Sequence, residues 1–323
     1  MIKIIFELIM KEIELKETRQ GFADALVELG KENNNIVVIG SDVTGSVKTN
    51  FFRDLFPDRF VSVGISEQDM IGTAAGLAVA GKIPFVSTYG EFATGRPYDQ
   101  IRQSIAYSKS NVKICASHCG IGVGPDGATH QSLEDVALMR VLPNMIVVTP
   151  CDYNQTFKTV KKCVEFSSPF YIRFYRDKTP NFTDINTDLI FGKADILEDG
   201  DDLTLIANGI LVWEALIAAE RLQKEGIKAR VVNMHTIKPI DEEIIIDSAQ
   251  KTGLIITCED HQKFCGLYSA VAEVTSKKYP VKMDYIAIED TFGESGTMKE
   301  LMQKYKIDSN SIFEKAKYNL KFK

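Results

Sequence analysis

Short apolar runs rich in β-branched residues alternate with stretches of helical periodicity along nearly the whole chain, and this alternation is what most restricts the fold. IVVIG at 36–40, FVSVG at 60–64, IPFVST at 83–88, VKICAS at 112–117, NMIVVTP at 144–150 and PFYIRF at 169–174 follow one another. Helical patterns such as Arg19–Glu32 and Gln68–Ala80 lie between them. Strands that are apolar throughout, not in alternation, are buried on both faces, so helices must cover both sides of a parallel sheet. The expectation is an α/β fold, with a doubly wound parallel sheet first.

From Asp177 the pattern lapses into polar sequence, and 181–191 reads as a linker between a first domain over 16–180 and a second over 192–323. There the alternation resumes: LTLIA at 203–207, a helix over Leu211–Glu225, ARVVNM at 229–234, a helix after Pro239 and LIITCED at 254–260. This predicts a second, smaller α/β domain of independent size. Residues 1–15 read as an N-terminal extension. Its apolar start, MIKIIFELIM, is too short to span a bilayer and lacks the flank and cleavage site of a signal peptide. Met10 opens a more typical start, so residues 1–9 read as a tag, an upstream-start extension or a short arm. A net charge of −6 gives no reason to expect nucleic-acid or membrane binding. Six cysteines without a CxxC pair suit reduced thiols in a cytoplasmic protein.

Three segments of the first domain carry chemistry. GISEQDMIGTAAGLAVAG, 64–81, puts Glu67 at the carboxyl end of an apolar strand, the edge where open α/β sheets bind ligands. A helix-start carboxylate favoured by the macrodipole fits the same spacing. SHCGIGVGPDGATHQSLED, 117–135, sets a glycine-rich loop between His118 and His130, which suggests close backbone approach to a ligand. Zinc is a poor fit because Asp126 is the other ligand type nearby, and each histidine alone suits a hydrogen-bonded structural role. In VSTYGEFATGRPYDQIRQS, 86–104, Tyr89 and Phe92 follow a strand and could wall a planar ring or pack in the core.

In this order and spacing the three segments resemble the pyrimidine-binding domain of the transketolase family. VVNMHTIKPID at 231–241, TCEDHQKFCGLYSAVAEV at 257–274 and DTFGESGTMKELMQKY at 290–305 resemble the family's C-terminal domain. The likeness runs from about Lys16 to Tyr305. It implies thiamine diphosphate as cofactor, with Glu67 hydrogen-bonding the aminopyrimidine, Tyr89 stacked on that ring and Phe92 a second aromatic of the wall. Asp42 matches an acidic residue near the cofactor. His118, Asp126 and His130 match sugar-phosphate contacts, and Arg19, Ser46 and Arg176 join His118 in holding the phosphate. Glu67 and His130 are the catalytic candidates. A guanidinium fork suits a phosphate dianion, and His118 and His130 suit proton handling on sugar hydroxyls near neutral pH.

Full-size members of that family also hold the cofactor's diphosphate through magnesium in a domain marked by GDG and a later Asn. The nearest approach here, EDGDDLTLI at 198–206, opens an apolar strand and reads as a turn. The resemblance therefore implies the C-terminal subunit of a split transketolase. Thiamine diphosphate and Mg2+ would be held through an N-terminal partner subunit in an α2β2 heterotetramer, active only in that company. The reaction implied is transfer of a two-carbon ketol unit from a ketose phosphate to an aldose phosphate, as in the pentose phosphate route. The rivals are a 2-oxoacid dehydrogenase β subunit, a deoxyxylulose-phosphate-synthase-like fragment and a non-catalytic homologue. The first needs no phosphate grip, so Arg19, His118 and Arg176 argue against it.

Overall fold

The computed structural model describes residues 13–323; the expectation for residues 1–9 and most of the extension lies outside that range. The apolar runs of the first domain become β2 (Ile36–Gly40), β3 (Phe60–Ser62), β4 (Ile83–Tyr89), β5 (Lys113–Ser117), β6 (Ile146–Val148) and β7 (Phe170–Arg173). They pair in parallel in the order β6-β7-β5-β4-β2-β3. Central strands β2, β5 and β7 are buried along their whole length, as uninterrupted apolar runs require. Helices Thr18–Glu32 and Glu67–Val79 fall where periodicity puts them.

The second domain forms β10 (Leu203–Ala207), β11 (Ala229–Asn233), β13 (Leu254–Gln262) and β14 (Lys282–Ile288) in parallel, with β9 (Asp195–Glu198) antiparallel at one edge. EDGDD forms the turn between β9 and β10. Two features depart from a clean division of the chain. β1 (Leu15–Glu17) pairs antiparallel with β8 (Lys178–Pro180), so the polar stretch after Asp177 begins as ordered strand. β12 (Thr236–Lys238), well past the linker, joins the first sheet antiparallel to β6. Thr236–Lys238, three residues ending in a lysine before Pro239, has no apolar run to mark it as a strand.

Between the sheets lies a buried polar knot. Arg173 and Asp135 are 2% and 0% exposed, and Arg173 Nε donates to Asp135 Oδ2 at 2.8 Å. The rest of the guanidinium donates to Tyr175 Oη at 2.7 Å, to the Ser132 carbonyl at 3.3 Å and to the Asp260 carbonyl at 2.8 Å. Burial works against the Arg173 charge, yet Asp135, Tyr175, Cys119 and Asp260 together outweigh it and drive the guanidinium pKa further up. One side chain thus ties β7, the helix Asp135–Arg140 and β13 of the second domain together.

Removing one member of a buried pair leaves an uncompensated charge, which typically costs about 3–5 kcal/mol. Asp135→Ala is expected to lower the unfolding free energy by that amount in a urea titration. A change below about 1 kcal/mol, the range of surface pairs, would show that the knot does not hold the domains.

Candidate active site

The carboxyl edge of the first sheet gathers the residues singled out in sequence. Tyr89 ends β4; His118 follows β5 with φ +55°; Arg176 follows β7; Asp42 and Ser46 follow β2; Glu67 follows β3 and starts its helix. Arg19 and Arg176 lie far apart in sequence, and the Thr18 hydroxyl brings them together. It donates to the Tyr175 carbonyl at 3.1 Å and accepts from the Tyr175 N–H at 2.8 Å.

The aromatic groups form one cluster. The Tyr89 ring stacks on His118 with centroids 4.0 Å apart and planes at 19°, and lies nearly parallel to Phe92 at 6.0 Å. His130 meets Phe92 edge-on at 5.2 Å and Tyr89 at 6.0 Å. Tyr89 and Phe92 are half-buried, so both have ring surface beyond these contacts. Glu67 is 4% exposed, and Arg96 Nη1 donates to its Oε2 at 3.2 Å. The same guanidinium lies over the Phe92 ring at 4.0 Å, a cation–π distance. Arg96 therefore links the carboxylate to the aromatic wall. The sequence reading missed it, although it stands in the same segment as Tyr89 and Phe92, because nothing in the spacing signals which carboxylate it meets.

The cationic end is equally built. Arg19 donates to the Ser46 carbonyl at 2.7 Å and to Glu17 Oε1 at 3.1 Å. Glu17 also pairs with Lys48 at 2.6 Å, and burial raises its pKa less than Lys48 and Arg19 lower it. Arg176 donates to the Val123 carbonyl at 3.0 Å and lies 3.7 Å from Asp126. Glu17 and Lys48 are thus further members that sequence did not point to. Asp42 is exposed with φ +60°, and among the described residues no contact ties it to the cluster.

His118 corrects one expectation. Burial, then the nearby Arg19 and Arg176 charges, push its pKa from 6.5 down to about 3. Its ring is neutral at physiological pH, with Nδ1 and the Ser117 hydroxyl 2.9 Å apart. It offers a neutral hydrogen-bonding ring, donor or acceptor according to its tautomer, not a proton exchanged near pH 7. His130 pairs with the Thr129 hydroxyl at 2.9 Å at the exposed end of the loop. The arrangement can bind a flat ring between a buried carboxylate and aromatic faces, beside a pair of guanidiniums suited to an anion.

Two family models match the chain. One is the transketolase pyrimidine-binding domain over residues 15–181; the other is the transketolase C-terminal domain over residues 192–312. The chain is 46% identical to a protein of Methanocaldococcus jannaschii named for the C-terminal section of transketolase, across 95% of this chain and 97% of that protein. It is 38% identical to a 6-deoxy-6-sulfo-D-fructose transketolase subunit of a Clostridium species, across 96% of each. Among solved structures, a split-gene transketolase described as an inactive β4 tetramer superposes with a TM-score of 0.87 at 44% identity. It covers 94% of this chain and 98% of that one.

The depressed His118 pKa has a pH signature. Below its ordinary value of 6.5 the unfolded chain binds a proton that the folded chain refuses. The stability from a neutral His118 is therefore full above that pH and is lost as pH falls toward about 3. A ring-proton NMR titration of the folded chain is expected to show His118 unprotonated from about pH 8 to about pH 5. A midpoint near 6.5 would contradict the burial and charge described for this ring.

Proposed function

The chain belongs to the transketolase family, and from that premise we propose that it is the C-terminal subunit of a two-chain, thiamine-diphosphate-dependent transketolase. With an N-terminal subunit supplying the diphosphate and magnesium site, it transfers a two-carbon ketol unit from a ketose phosphate to an aldose phosphate. The observation that carries this reading is one sheet edge holding both a buried carboxylate, linked through Arg96 to an aromatic wall, and a cationic end with two tethered guanidiniums. The relatives aligned over almost their full length are themselves transketolase sections or subunits, which supports the division into two chains.

The residues present fit the cofactor's pyrimidine. Glu67, 4% exposed, offers a buried hydrogen-bonding carboxyl, and Tyr89 and Phe92 offer half-buried ring faces beside it. When bound, thiamine diphosphate would supply a nucleophilic thiazolium carbon. Glu67 holds the pyrimidine by its ring nitrogen, and the aromatic wall excludes water from that face. Arg19, tethered by Glu17 and the Ser46 carbonyl, and Arg176, tethered by the Val123 carbonyl, grip the sugar's phosphate. Neutral His118 holds its oxygens, and His130, nearer solvent, handles protons on sugar hydroxyls. A 2-oxoacid dehydrogenase has no use for this cationic end.

The partner's seat is proposed on the outer face of the helix Glu67–Val79. Ile65 and Val79 are 73% and 87% exposed there. Gly72 and Gly76 lie between them, and a Cβ at either would meet nothing within 4 Å. Glycine in a helix costs about 1 kcal/mol relative to alanine, and nothing in the packing of the described residues requires it. A close neighbour on that face does.

Mixed with its partner, thiamine diphosphate and magnesium, the chain is expected to consume xylulose 5-phosphate with an aldose phosphate acceptor, and alone to do neither. Pyruvate decarboxylation instead would overturn the reading. Glu67→Gln is expected to lower kcat by roughly 10²–10⁴-fold without unfolding, the range of a positioned proton-transfer group. Gly76→Leu should leave the isolated chain folded, with a melting temperature no lower than wild type, yet abolish the heterotetramer on size exclusion. An intact assembly would move the seat elsewhere.

A further inference from the structure

The glycine-rich loop between His118 and His130 is moulded by the second domain. Asp260, at the end of β13 and 1% exposed, accepts the Ile121 N–H on Oδ1 at 3.0 Å, fixing the start of the short turn Ile121–Asp126. The loop backbone closes directly over the other oxygen. Gly120, at φ +71°, passes so near that a Cβ there would lie 1.8 Å from Asp260 Oδ2, which has no hydrogen-bond partner among the described residues. At the loop's far end Gln131, next to His130 and 3% exposed, spans both domains. Its Nε2 donates to the Ile121 carbonyl at 3.2 Å and to the Glu294 carbonyl at 3.0 Å. Gly293 lets the second domain come this close, since a Cβ there would lie 1.9 Å from Gln131 Oε1.

None of these groups reaches the cluster of Glu67, Tyr89 and Phe92. They reach the segment that carries the sugar-phosphate end, whose Val123 carbonyl also anchors Arg176. We infer that the second domain sets the affinity for the sugar phosphate, with Asp260 and Gln131 as positioning residues that hold the His118–His130 loop in its binding shape. The inference rests on the reading of that loop as the sugar-phosphate site. Asp260 touches no substrate; it acts through the Ile121 amide.

The test compares Asp260→Ala, which removes the acceptor, with Asp260→Asn, which keeps one, and with Gly293→Ala, which crowds Gln131. In the complex with the partner subunit, thiamine diphosphate and magnesium, Asp260→Ala and Gly293→Ala are expected to raise KM for xylulose 5-phosphate on the order of tenfold. Cofactor affinity should stay within about twofold, and kcat should fall by less than KM rises, the pattern of lost substrate positioning. Asp260→Asn restores KM. A merely structural role predicts a lower melting temperature with KM unchanged in all three variants, and that result would overturn the inference. Hydrogen exchange on the isolated chain gives a second readout: amides of residues 118–131 should exchange faster in Asp260→Ala and not in Asp260→Asn. If the wild-type complex turns over no ketose phosphate, the proposed function fails while the exchange result alone decides whether the second domain holds the loop. Unchanged protection there would sink the mould.

Discussion

The ion pair of Arg173 with Asp135 is the interaction on which the remaining architecture depends. It is buried on both sides, and the guanidinium donates to Tyr175 of its own segment, to Ser132 and Asp135 of a second and to Asp260 of a third. A desolvated charge tolerates little displacement, because each lost hydrogen bond leaves a polar group with no water to replace it. β7, the helix Asp135–Arg140, the end of the glycine-rich loop at Ser132 and the β13 carbonyl at Asp260 are therefore held in one mutual geometry. Arg176 stands three residues beyond Arg173, so the cationic end of the cluster inherits its place from this knot. Asp260 serves twice, its carbonyl on Arg173 and its carboxylate on the Ile121 amide.

Electrostatics within the site follow from the same crowding. Two guanidiniums near a buried imidazole make protonation of His118 unfavourable, which leaves the positive charge on the arginines. Each arginine in turn is tethered to a carbonyl, which takes up some donors and aims the rest. Fixed cations around a neutral hydrogen-bonding ring form a preorganised anion site, one that need not rearrange when a dianion arrives.

Much of this was legible in sequence because it depends on local periodicity. The runs at 36–40, 112–117 and 169–174 could only be strands buried on both faces, and each lies inside the sheet with a neighbour on both sides. Glu67, Tyr89 and His118 were placed because each ends or follows such a run, and strand ends on a parallel sheet share an edge. What escaped was pairing across long separations. Arg96 meets Glu67 and Glu17 meets Lys48 only because the fold brings them together. The neutral state of His118 depends on burial first and then on Arg19 and Arg176, which lie on opposite ends of the first domain's sequence. The strands β9 and β12 are short, and their partners, not their own composition, make them strands.

The position of β12 has a consequence for how the protein is made. Its residues, 236–238, complete the sheet edge at β6, residues 146–148, yet they are synthesised only after the linker and the first part of the second domain. On the ribosome, β6 therefore emerges with one side unpaired and keeps that side open through several further elements. Such an edge is a template for strands of neighbouring nascent chains. Cotranslational folding of this chain is complete for neither sheet until the second is partly built, and the two halves must mature as one unit.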